Sequence, residues 1–233
     1  MHLRRFFIPG PVTTGAQPIE GGEYHHLKTV LRAKPGVEVE LVDGQGHLGT
    51  GKIARLESRQ AIVEVTRVET APPRATGVVV ACPPLKHHAM NWMVEKLCEL
   101  GVDEIRPVRF LRTDGTTATD SGARWTGLAE QALKVNRRLW KTRIAPLATL
   151  DELLAGVAPF PRRIAGDLTG APWPTGPLPR PTLLLIGPPG DITAEEWRPI
   201  DAAGFTRHRL GSALLKAETA AIAAAALLIV CSN

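Results

Sequence analysis

LLLIGPPGD (Leu183–Asp191) and LGSALLKAETAAIAAAALL (Leu210–Leu228) are two glycine-bearing segments set behind an apolar strand and before an apolar helix. In an α/β protein, ligands bind at the carboxyl ends of strands, where the chain leaving the sheet exposes backbone N–H and C=O groups. Gly187, Gly190 and Gly211 would let a ligand approach that backbone closely. The alternative is a pair of ordinary strand-to-helix turns, which glycine and proline punctuate in any α/β protein. No Lys-Ser or Lys-Thr pair follows Gly190, and no strand-linked GxGxxG is present. The cradle therefore suits something other than a triphosphate or a dinucleotide.

Working outward, residues 163–167, 182–186 and 206–210 read as strands. Thr193 with Glu196 fits a capping box that opens the helix carrying Trp197. The helix from Ala217 onward is apolar nearly all round and must be covered on more than one side, inside the domain or at a subunit interface. Further upstream, residues 77–82 form a fully apolar strand candidate, and Ile105–Val108 another. Met90, Met93, Val94, Leu97 and Leu100 recur at helical spacing before the stop at Gly101. Trp125, Leu128, Ala129, Ala132, Val135 and Leu139 form a second helical stripe. Alternating strands and helices predict a mostly parallel sheet.

Residues 1 to about 70 differ. Val37–Val42 and Ile62–Val68 alternate as half-buried strands do, Asp43-Gly44 and Gly46 mark a turn, and Tyr24–Leu31 suits a short helix. The paired prolines of Thr70-Ala71-Pro72-Pro73 cannot join a sheet interior and read as a linker. The expected organisation is a small β-barrel over 1–72 and an α/β domain over 73–233, a partition that 233 residues accommodate.

A net charge of +5 favours an anionic partner. Between Arg106 and Arg143 stand nine basic residues and three acids, so this stretch alone accounts for the excess. It reads either as a nucleic-acid patch or as a solvated helix face. Aromatic residues, at 5%, are too few for binding single strands mainly by base stacking. Cys82, Cys98 and Cys231 are widely spaced among apolar neighbours and read as reduced core residues, which makes the cytoplasm the expected compartment. No Cys/His cluster suggests a metal. The start, MHLRRFFIPG, lacks the apolar core of a signal peptide, and Ala220–Cys231 is too short to span a bilayer.

The order and spacing of RRFF (Arg4–Phe7), His26 with VLR (Val30–Arg32), EKLCELGVDEIRPV (Glu95–Val108), AEQ (Ala129–Gln131), LLLIGPPG and LGSALLKAETA carry a resemblance nearly end to end. The chain resembles the RsmE-type methyltransferases of small-subunit (16S) rRNA, members of the SPOUT superfamily. The resemblance implies a PUA-like β-barrel for RNA over 1–72 and a SPOUT α/β methyltransferase domain over 73–233 with a trefoil knot. It also implies a homodimer that binds S-adenosyl-L-methionine without a metal and makes 3-methyluridine in 16S rRNA, with that RNA or the small ribosomal subunit as partner. By this analogy Leu185, Ile186, Gly187, Gly190, Leu210, Gly211, Leu214 and Leu215 surround the cofactor.

Methylating a uridine ring nitrogen requires the imide proton to leave, hence a base and an anion stabiliser. Glu218 is the first candidate base and Asp191 the second. Glu218 equally suits the first turn of a helix, where the dipole favours an acid. Lys216 is the candidate to stabilise the uracil anion or bind a phosphate. Arg4, Arg5, Lys28 and Arg32, with Arg137 and Arg138 of the basic stretch, are the candidate RNA contacts.

The chain departs from the family pattern in GPPGD, where GPEGG is usual, so Pro189 replaces an acid and Asp191 a glycine. Ala213 stands at an expected arginine, Lys216 at another, and ALKVNRR follows AEQ. These departures motivate a second reading, an RNA-binding protein of the same fold with lost or altered methyltransferase activity.

Overall fold

The computed structural model describes residues 3–72, 77–113, 122–176 and 179–230. Pro73 of the expected linker, Asp114 and Asp120 of the basic stretch, and Cys231 lie outside them. The chain forms two compact units, Met1–Arg74 with Glu130–Lys141, and Ala75–Ala129 with Thr142–Asn233. Unlike the division expected from sequence, the first unit takes in a segment from far downstream.

In the first unit, β1 (Arg4–Phe7), β2 (Gly15–Glu20), β3 (Glu38–Val42), β4 (His47–Leu56) and β5 (Gln60–Thr70) form one sheet in the order β1-β3-β4-β5-β2. Only the β1–β3 pairing is parallel. Phe6, Ile19, Leu41, Ile53 and Val63 share its buried core. Between β2 and β3, α1 (Gly21–His25) continues into a π-helical turn, His26–Val30, where Leu31 N–H donates to the His26 carbonyl at 3.0 Å.

The returning segment completes this unit. Gly46 N–H donates to the Leu139 carbonyl and Lys141 N–H to that of Gly44, each at 2.9 Å. A Cβ on Gly46, whose φ is +97°, would lie 2.5 Å from the Trp140 ring, so glycine here serves close packing as well as the turn.

The second unit holds β6 (Val78–Cys82), β7 (Glu104–Arg109), β8 (Arg143–Ile144), β9 (Ala148–Thr149), β10 (Arg162–Pro172), β11 (Thr182–Leu185) and β12 (Thr206–Arg209). Their order is β12-β10-β11-β6-β7-β8, with β9 also on β7, and all pairings are parallel. The VVVAC run of β6 is wholly buried, as a central strand covered on both faces requires. In α2 (His87–Leu100), Met90, Met93, Val94, Leu97 and Cys98 make the buried face, and Gly101 ends the helix at φ +85°.

The second helical stripe is α3 (Gly122–Val135), which stops before Leu139. Arg137 then takes a left-handed φ of +62°, so Arg137 and Arg138 sit in the exit rather than on the helix. Capping boxes open α4 (Leu150–Ala155), at Thr149, and α5 (Ala194–Ala202), at Thr193. In α6 (Ala217–Val230), Ala217, Ala221, Ala224, Ala225 and Leu228 form one buried stripe. This helix packs on α2 and leaves Leu227 and Val230 exposed.

Burial pushes the Cys82 thiol up to about 12 and that of Cys98 up to about 11, so both are inert core groups. No helix among the described residues is long and apolar enough to cross a membrane.

Candidate active site

A cleft of about 870 Å³ opens in the second unit where β12, β10, β11 and β6, adjacent in the sheet, deliver their carboxyl ends. That is the volume and position of a small-molecule site in an α/β sheet. Ile186, Gly187, Gly190, Leu210, Gly211, Leu214 and Leu215 line it, as do Glu218, Lys216 and Asp191. Leu185 does not. It is the last residue of β11, fully buried in the core with Val79, Ala165 and Leu183, and it supports the cleft from behind.

The glycines divide by role. A Cβ on Gly187 would lie 2.8 Å from Ile192 Cγ1, so this glycine makes room for core packing rather than for a ligand. Gly211 faces open space. The two sequence departures in this turn suit its backbone. Asp191 N–H donates to the Pro188 carbonyl at 2.9 Å, which puts Pro189 at the turn position that proline's fixed φ favours.

Asp191 is left-handed at φ +66°, and its Oδ1 accepts from Ile192 N–H at 2.8 Å. Aspartate is among the few residues that adopt this conformation readily, which explains how it stands where a glycine is usual. Asp191→Gly should leave unfolding stability unchanged within about 0.5 kcal/mol, whereas Asp191→Ala should cost about 1 kcal/mol in urea titration. Equal stability of the two variants would contradict a strained position.

The sequence reading missed the contribution of β10. Gly166 and Ala171 both stand opposite His208 of β12, so the residues between them bulge from the ladder. The bulge sends Asp167 and Leu168 to the cleft. Asp167 Oδ1 accepts from Thr169 N–H at 2.8 Å and from its hydroxyl at 2.9 Å, and Oδ2 lies 3.5 Å from Arg207. Arg207 itself stacks on Trp197 at 3.8 Å, and the hydrogen bonds it donates to the Asp201 carboxylate raise its pKa above the ordinary arginine value.

The lining suits S-adenosylmethionine. Ile186, Leu210, Leu214 and Leu215 offer apolar surface to a heterocycle, Asp167, Asp191 and Glu218 offer acceptors, and Lys86, Arg112 and Lys216 offer cations. Among the described residues no group of three or more His, Cys, Asp or Glu could hold a metal ion.

The first unit holds the remaining predicted residues. Arg4, Lys28 and Arg32 are exposed. Arg4 donates to the Leu31 carbonyl at 3.3 Å, Lys28 lies 5.3 Å from the centre of the Tyr24 ring, and Arg32 has φ +47°. Arg5 and Arg137 converge instead on Glu40, both at 2.8 Å, with only 5% of the Arg5 side chain exposed. Arg138 gives its carbonyl to Arg5 at 3.3 Å.

The basic stretch is thus largely neutralised within its own units. Lys134 meets Glu23, Lys141 meets Glu130, and Arg106 and Arg143 share Glu104. Among the described residues, three of the four carboxylates that pair with the stretch (Glu23, Glu40 and Glu104) lie outside it in sequence, which is why a local count of charges overstated a patch.

Residues 72–229 match the RNA methyltransferase domain family and residues 19–66 the RNA methyltransferase PUA domain. Ribosomal RNA small subunit methyltransferase E of Mycobacterium bovis is 27% identical over 241 residues, spanning 94% of this chain and 88% of that protein. The Bacillus subtilis protein of the same name is 23% identical over 219 residues, spanning 87% and 85%. The crystal structure of the Neisseria gonorrhoeae protein of that name, bound to S-adenosyl methionine, superposes with a TM-score of 0.85. It is 26% identical, covering 97% of this chain and 96% of that one. The architecture is an α/β RNA methyltransferase domain preceded by a PUA domain.

Proposed function

We propose, from the premise that this chain belongs to the RNA methyltransferase family, that it transfers a methyl group from S-adenosylmethionine to the ring imide nitrogen of a uridine in 16S rRNA, giving 3-methyluridine. The observation that carries this reading is the cleft at the ends of four parallel strands, lined by both glycine-bearing segments. When bound, S-adenosylmethionine supplies a methyl group on a positively charged sulfur, so the protein's task is positioning, deprotonation and charge placement.

Ile186, Gly190, Leu210, Gly211, Leu214 and Leu215 hold the cofactor. Glu218 takes the imide proton, and Lys216 lies two residues before it on the same cleft wall. Asp191 is the weaker candidate base, because its carboxylate already serves the turn.

Two copies form the working enzyme. The packed pair α2 and α6 leaves Trp92, Leu227 and Val230 exposed, an apolar surface suited to a second copy. The substrate rRNA and the reduced thiols accord with a cytoplasmic setting.

The deciding experiment is calorimetric titration with S-adenosylmethionine, followed by nucleoside mass spectrometry of small subunits lacking the modification. Saturable binding with 3-methyluridine formation is expected; absence of both would leave the RNA-binding reading. For the RNA face, replacing Arg4, Lys28 and Arg32 together with alanine should make the slope of log affinity against log salt shallower by about 2. An unchanged slope would remove them from the RNA contact.

A further inference from the structure

The reaction needs a group that stabilises the uracil anion, and the cleft offers an arginine that is better fixed than Lys216, although both are exposed. Phe110, buried in the core, begins a tight turn after β7. Its N–H donates to Thr113 Oγ1 at 2.9 Å, and Thr113 N–H donates to the Phe110 carbonyl at 3.1 Å. The next N–H, that of Leu111, donates at 2.6 Å to Oε1 of Glu196. Glu196 is 5% exposed, and its Oε2 is the capping acceptor of α5. The turn is thereby fixed to the core on one side and to the α5 cap on the other.

Arg112 and Thr113 are the residues this turn presents to the cleft, and of the two only Arg112 carries a charge. Its stem lies across Gly190, where a Cβ would stand 3.2 Å from Arg112 Cδ and 3.4 Å from its Cβ. Nη1 donates to the Gly190 carbonyl. This commits one of the five N–H donors of a permanently charged planar fork. A cation held this way needs little rearrangement when negative charge develops beside it, which is the condition for electrostatic catalysis.

We propose that Arg112 is a catalytic residue that donates hydrogen bonds to the uracil carbonyl oxygens as N3 loses its proton; this rests on the uridine reading above. The proton leaves to the base and the N3 electron pair forms the new N–C bond. The pair of the broken C–S bond stays on sulfur, so the products are 3-methyluridine, a neutral thioether and one proton. Arg112 lowers the cost of the first event by spreading charge from the two oxygens that flank N3.

The test is the pH profile of kcat/KM on undermethylated small subunits for Arg112→Ala and Arg112→Lys, with S-adenosylmethionine titrated into each. Arg112→Ala should lose about 10²–10³-fold near neutral pH, as for removal of one oxyanion donor. The defect should shrink as pH rises, because the missing cation mainly raises the pH at which the imide ionises. Arg112→Lys, which keeps the charge but not the planar fork, should recover part of the rate.

A loss equal at every pH, a loss confined to KM, or loss of cofactor binding in step with activity would each overturn the proposal. Failure of the unaltered protein to form 3-methyluridine would instead sink the uridine reading itself.

Discussion

Glu218→Gln should lower kcat by about 10²–10⁴-fold, the usual contribution of a positioned general base, while cofactor affinity stays within a few-fold. The substitution keeps size and hydrogen-bonding capacity and removes the negative charge together with the ability to take a proton. Glu218 lies in the first turn of α6 and lines the cleft, so two roles compete for it. If its role is only to complement the helix dipole, the variant loses about 0.3–1 kcal/mol of stability and keeps its rate. Activity and urea unfolding therefore move in opposite patterns for the two roles. Full activity in the variant would return the base assignment to Asp191, and Asp191→Gly, which leaves the turn intact, would then be the inactive protein.

The sequence exposed the second unit more fully than the first, for a physical reason. Parallel strands buried on both faces read as continuous apolar runs, such as Val78–Cys82 and Thr182–Leu185, and α2 carries a clear stripe ended by Gly101. Strand β4 was not legible, because His47–Leu56 includes two glycines and a lysine and draws its burial from partners on both sides. The cleft was legible where glycine and apolar residues are adjacent in sequence. It was not where β10 bulges, because the register shift that delivers Asp167 depends on pairing with β12. Gly187 was read as ligand space, yet its neighbour is Ile192, a contact set by the turn's closure. Arg112 lay inside a stretch read either as a basic patch or as a solvated helix face; only the fold shows that one member reaches the cleft while five others pair with carboxylates.

Glu40→Ala should destabilise the first unit by about 3–5 kcal/mol in urea unfolding, the cost of leaving a buried charge without its partner. Glu40 Oε2 receives both Arg5 and Arg137 at 2.8 Å, and the Arg5 and Glu40 side chains are only 5% and 14% exposed. Truncating the carboxylate leaves the Arg5 guanidinium with little solvent and without its counter-charge. Arg137, at 36% exposure, can turn toward water, so Arg137→Ala should cost about 1 kcal/mol or less. The asymmetry bears directly on RNA binding. A guanidinium already committed to a buried carboxylate releases few counterions when RNA arrives, so Arg5→Ala should unfold the unit more easily yet hardly change the salt slope. The reverse result, a shallower slope at unchanged stability, would show that Arg5 leaves Glu40 for phosphate, and the triad would then be a contact that RNA displaces.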